Sequence, residues 1–135
     1  MKMKIFAVLA MAAVLIAAIG CVSTVTDRKT AAIPGLKDSF ENRYERTVDQ
    51  AFDAAKAVVS NSGVLSSESI LHNQTNQVKT IEGKVNQRNV WIRIEAIDPK
   101  VTAVTVQTRT PGGATDMDLA HQLATEIGIK LATIR

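Results

Sequence analysis

The sequence predicts an α+β fold: an antiparallel sheet of four to five strands with two helices packed on one of its faces, in the order β-α-β-β-β-β-α. Three observations point to it. A capped segment with a helical apolar period follows Thr47, segments with a period of two run from Val64 to Thr108, and a second capped helical period closes the chain. The links between the period-two segments are short and polar, which makes neighbours antiparallel, because a parallel pair needs a crossover of about a dozen residues.

The first element is Ser39 to Arg46 (SFENRYER), where Phe40 and Tyr44 share one side of an extended chain and Glu41, Arg43 and Glu45 the other. Thr47-Val48-Asp49-Gln50 then fits the capping box, in which the Thr hydroxyl and the Gln side chain satisfy donors that the first helical turn leaves free. Val48, Ala51, Phe52, Ala55 and Val58 or Val59 form the apolar stripe of the helix that follows. Asn61-Ser62-Gly63 ends it, with the glycine expected in the left-handed C-terminal conformation.

Val64 to Leu71 reads as a strand interrupted by Ser66-Ser67-Glu68-Ser69, and Gln77 to Val85, Asn89 to Ile97 and Val101 to Thr108 as three more strands. In Asn89 to Ile97, Val90, Ile92, Ile94 and Ala96 face one way and Trp91, Arg93, Glu95 and Ile97 the other. Asp98-Pro99-Lys100 supplies a tight turn, with proline fixing the backbone at the second position. Pro111-Gly112-Gly113 breaks the last strand and Thr115 or Asp116 caps the final helix, whose stripe is Ala120, Leu123, Ala124, Ile127, Leu131 and Ile134. Phe52, Ile92, Ile94, Leu123 and Ile127 are expected in one buried cluster.

Ahead of this domain the chain carries a different kind of segment. Lys2 and Lys4 precede an apolar run from Ile5, and the run closes on Ala18-Ile19-Gly20-Cys21, small residues ahead of the only cysteine. A charged start, a short apolar core and small residues before a cut site make a secretory signal. The alternative is an uncleaved membrane-spanning helix, for which the uncharged stretch from Ile5 to Val22 is at the lower length limit. The cysteine and the residues before it resemble the lipobox of bacterial lipoproteins. That resemblance implies a diacylglyceryl group on the Cys21 sulfur, cleavage before Cys21 and acylation of the freed amine. The domain organisation expected is a signal peptide over 1–20, the lipidated cysteine and a flexible tether over 21–37, and a single α+β domain over 38–135. The tether, VSTVTDRKTAAIPGL from Val22, has no sustained apolar period, and about 15 flexible residues reach about 20 Å.

Composition narrows the function classes. Of 16 Lys and Arg, cleavage removes Lys2 and Lys4, leaving 14 against 13 acidic residues, and no basic tract with interleaved aromatics follows. The footprint of a nucleic-acid binder is missing. With Cys21 consumed by lipid, no cysteine pair remains for a disulfide, and two histidines, His72 and His121, are too few for a His-rich metal site. Asp118 and His121, three apart on the polar side of the last helix, read as a solvated face. Gly112 and Gly113 ahead of that helix read as a turn, because Asp116 and Asp118 would repel an anion there. No nucleophile elbow, P-loop or dinucleotide fingerprint occurs, so no catalytic residue, cofactor or metal is expected.

Trp91, the one tryptophan, carries two readings. Beside Arg93 on the face away from the helices it is either a partly exposed anchor for a partner, since tryptophan and arginine are favoured at binding hot spots, or it packs on sheet neighbours such as Ile97 or under the tether.

The run TVDQAFDAAKAVVSNSGV, the segments VWIRIEAI and VTAVTVQTRT, and the glycine-rich turn into an acidic-capped helix together resemble a family of small lipoproteins of Gram-negative bacteria over residues 38–134. The shared domain of that family has no assigned function, and no catalytic residue carries over from it. The function expected is a non-enzymatic adaptor or binding domain of the cell envelope. It would be bound to membrane lipid through acylated Cys21, with an envelope protein as partner. By analogy, Val22 in place of an aspartate favours the periplasmic face of the outer membrane. The alternative expectation is a carrier of a lipid or small apolar ligand in a cleft between sheet and helices.

Overall fold

The computed structural model describes residues 20–26, 29–32, 38–72 and 76–134. The expected signal peptide lies, apart from Gly20, outside the described residues. A short hairpin, β1 (Gly20–Ser23) with β2 (Lys29–Ala32), precedes the domain. The domain runs β3 (Ser39–Tyr44), α1 (Val48–Ser62), β4 (Gly63–His72), β5 (Gln77–Val85), β6 (Arg88–Ala96), β7 (Thr102–Arg109) and α2 (Met117–Thr133). Its five strands form one antiparallel sheet in the order β3-β7-β6-β5-β4. Fold class and element order are those expected.

The helices share one face of the sheet. α1 lies against β4, β5, β6 and β7, α2 against β3 and β7, and the two touch each other. Between the layers, Phe52, Ile92, Ile94, Leu123 and Ile127 belong to one buried cluster with Ile81, Val104, Val106 and Val59, as the apolar periods predict. Tyr44 ties β3 to α2 by donating its hydroxyl to the Ala124 carbonyl at 3.0 Å.

Local chemistry sets the element ends. Thr47 and Gln50 make the reciprocal capping box at the start of α1, and Asp116 rather than Thr115 caps α2, its carboxylate accepting from the Leu119 N–H at 3.0 Å. The β6–β7 turn closes as expected, with the Asp98 carboxylate accepting from the Lys100 and Val101 N–H groups.

Two expectations are corrected here. Gly63 is not left-handed: at φ −172° it is extended and opens β4 directly, and it is glycine because a Cβ would stand 2.0 Å from the Lys84 carbonyl oxygen. The serine-rich stretch does not interrupt β4, which runs from Gly63 to His72 with a register shift between Leu65 and Ser67. A bulge absorbs the extra residue and the pairing with β5 resumes, so backbone bonding outweighs the weak strand preference of the serines.

Candidate functional site

The register assigns each side chain of the sheet to a face. On the row where Ile81, Ile92, Val106 and Phe40 point to the helices, the adjacent row Glu82, Trp91, Gln107 and Ser39 points the opposite way. This outer face is where the sequence places Trp91 and Arg93, and both are there.

The expected exposure of Trp91 is corrected. The residue is buried, only 9% exposed. The cause is the segment at the tip of the β1–β2 hairpin, which crosses the outer face. The Val25 N–H donates to the Gln107 side-chain oxygen at 2.9 Å, and the Thr26 hydroxyl donates to Glu82 at 2.8 Å. Glu82 and Gln107 are the register partners of Trp91 on either side, so the segment spans the row in which Trp91 sits. Thr24, just before it, is also buried, and its hydroxyl lies 3.0 Å from that of Thr26. Of the two readings of Trp91, packing beneath the residues after the cysteine is the one found. Over its described residues the expected flexible tether is instead a paired hairpin with a docked tip. Val22, Thr24, Val25 and Thr26 are β-branched, which suits an extended chain leading into the tip.

Gln107 is the pivot of this arrangement. Fully buried, it accepts from Val25 with its oxygen and donates with its nitrogen to Asp38 at 2.5 Å. Asp38 also binds the Arg109 guanidinium, which in turn donates to the Gly113 carbonyl at 3.3 Å. Arg109 is buried to 2% exposure, and desolvation pulls its pKa below the ordinary arginine value. Its Nε has no partner among the described residues. The Asp38 carboxylate thus links the start of β3 to the end of β7, close to the point where the strap lies. Arg93 donates to Glu95 at 3.2 Å and remains half-buried.

Among the described residues, two of the grooves open at the ends of the sheet. The larger, about 690 Å³, lies where the β3–α1 link, the β6–β7 turn and the end of α2 converge, and is lined by Glu45, Arg46, Gln50, Asp98, Lys100 and Ile134 among others. Arg46 braces it, donating to the Leu131 carbonyl from Nε and Nη2 at 3.4 and 3.3 Å. The smaller, about 340 Å³, lies beside the Arg88–Asp116 pair at the start of α2. Sequence reasoning missed the larger groove because its walls come from three separated segments of ordinary polar residues.

Among the described residues no group of three or more His, Cys, Asp or Glu stands close enough to hold a metal. The His121 ring lies 3.8 Å from that of Phe40, a packing role. Among the described residues no helix is long and apolar enough to cross a membrane.

Residues 4–131 match the model of a family described as "Protein of unknown function (DUF3568)". The chain belongs to this family. The DUF3568 match takes in the apolar N-terminal run and Cys21 as well as the folded domain. No curated protein matches the chain. Among solved structures it is similar to the di-domain ARO/CYC StfQ from the steffimycin biosynthetic pathway. The likeness is at 11% identity and a TM-score of 0.34, over 70% of this chain and 43% of that one, less than half its length. No site or activity is carried across on it.

Proposed function

We propose that this protein is a lipid-anchored envelope lipoprotein, held through acylated Cys21 at the periplasmic face of the outer membrane, with a small non-enzymatic binding domain for another envelope protein. The observation that carries the anchoring is the position of the only cysteine, directly after an apolar run that ends in Ala18-Ile19-Gly20. Two or three acyl chains hold a protein to a bilayer where one holds it only marginally.

The binding role attaches to the groove at the β6–β7 end, and no longer to Trp91, which is buried. Glu45, Asp98, Arg46 and Lys100 line it together with Val101 and Ile134, a mixed wall suited to a peptide segment carrying both charges and an apolar side chain. The carrier alternative needs room between sheet and helices, and Ile81, Ile92, Ile94, Leu123 and Ile127 fill that layer with no exposure.

The test is site-specific photocrosslinking in intact cells, with the crosslinker at Lys100 and, as a control, at the exposed Ile129 on α2. A discrete adduct from Lys100 and none from Ile129 supports the groove. The reverse pattern would move the binding surface to α2.

A further inference from the structure

We infer that the anchored domain lies flat on its membrane, with the outer face of the sheet and the strap across it turned to the lipid; this rests on the reading of Cys21 as the anchor. The length of chain between two fixed points sets the orientation. Thr24, Val25 and Thr26 are held to the sheet: Thr24 is buried, Val25 is bonded to Gln107 on β7, and Thr26 to Glu82 on β5. Cys21 is three residues before Thr24, so at most about 10 Å of backbone separates the lipidated residue from the docked strap. A free tether up to residue 37 would let the domain sit about 20 Å away in any orientation.

The short leash selects one face. The Glu82, Trp91 and Gln107 row under the strap is on the opposite side of the sheet from α1 and α2. The outward surfaces of the helices are therefore farther from the anchor by at least one helix diameter, about 10–12 Å. Two of the carboxylates on this face are paired with arginines. Around the strap, Arg43 pairs with Glu41 at 3.3 Å and Arg93 with Glu95 at 3.2 Å, so these carboxylates carry no unbalanced negative field toward anionic headgroups. Lys84 is exposed on the same face. The groove of the proposed partner lies at the end of the sheet, where a domain lying flat leaves it open sideways to other envelope proteins.

The experiment uses the full chain, purified in its acylated form and reconstituted in vesicles of phosphatidylethanolamine and phosphatidylglycerol doped with headgroup spin-labelled lipid. Because acylation consumes the only native cysteine, one fluorophore is placed by Arg43→Cys or Lys84→Cys on the outer face, or by Asp53→Cys or Ile129→Cys on the helices. The expected result is severalfold stronger quenching at 43 and 84 than at 53 and 129. A glycine-serine insert of about ten residues between Val22 and Ser23 should lengthen the leash and erase the difference. Equal quenching on both faces of a protein that carries acyl label overturns the orientation and leaves the anchoring intact. A protein without acyl label overturns the anchoring, and the orientation with it.

Discussion

The Gln107 side chain, on the last strand of the sheet, holds the backbone N–H of Val25 at 2.9 Å across 82 positions of sequence. That one amide does two things, since its nitrogen end donates to Asp38 while its oxygen end receives the strap. A residue that reads in the sequence as an ordinary polar strand position therefore joins the segment after the cysteine to the ion pair between Asp38 and the buried Arg109. Trp91 lies in the same row and is closed off as a result.

Gln107→Ala should release the strap. The Val25 N–H loses its acceptor and Asp38 one of its donors, both part-buried, a loss of ~1 kcal/mol. As the chain has one tryptophan, acrylamide quenching of its fluorescence reads the outcome directly. Quenching should rise in the variant while the far-ultraviolet circular dichroism is unchanged. Unaltered quenching would mean that residues 24–26 do not close over Trp91.

Ile92→Ala removes side-chain volume from the centre of the sheet–helix layer, where Ile92 has no exposure. The expected loss is ~2–5 kcal/mol, covering the transfer of the lost atoms and the cavity left behind. Urea unfolding measures it, and a loss below about 1 kcal/mol would contradict the packing described.

The glycines make a matched pair. Gly63→Ala drives a Cβ to within 2.0 Å of the Lys84 carbonyl oxygen, which is backbone and cannot swing away, whereas Gly112→Ala meets nothing nearer than the Thr110 hydroxyl at 3.9 Å. The first should destabilise by at least the ~1–3 kcal/mol typical of overpacking and the second by much less. Thermal melting of both variants decides, and equal midpoints would contradict the close approach of β4 to β5.

Thr47→Ala should cost ~1 kcal/mol by removing the hydroxyl that accepts from the Gln50 N–H at the start of α1. Amide exchange should quicken in the first turn of that helix. If it speeds up equally across the whole chain, the cap is not acting locally.

What could be read in the sequence follows from the range of the forces involved. The sheet and helices were legible because burial repeats with a local period: Val90, Ile92 and Ile94 alternate, Leu123, Ala124 and Ile127 recur on one helical side, and Thr47 with Gln50 marks the boundary between the two patterns. Gly63 does end the first helix, its N–H donating to the Val59 carbonyl, but its conformation is not the left-handed one expected, because the close Lys84 backbone 21 positions away also bears on it. The strap was missed for the same reason. Its bonds join Val25 to Gln107 and Thr26 to Glu82, and nothing within a dozen residues of any of them reports that contact. Alternation puts Trp91 on the right face and leaves its exposure open between a partner anchor and packing under the tether, because cover by residues 24–26 is decided by bonds to Glu82 and Gln107 far along the chain.

Lipid anchoring at Cys21 is measured most directly by metabolic labelling with a clickable fatty-acid analogue in cells producing the wild-type chain or Cys21→Ser. Only a thiol accepts the diacylglyceryl group in the chemistry the lipobox resemblance implies. Wild type should carry label and run at the size of a chain cleaved before Cys21, and Cys21→Ser should carry none and keep its leader; equal label on both, or none on the wild type, would contradict the account.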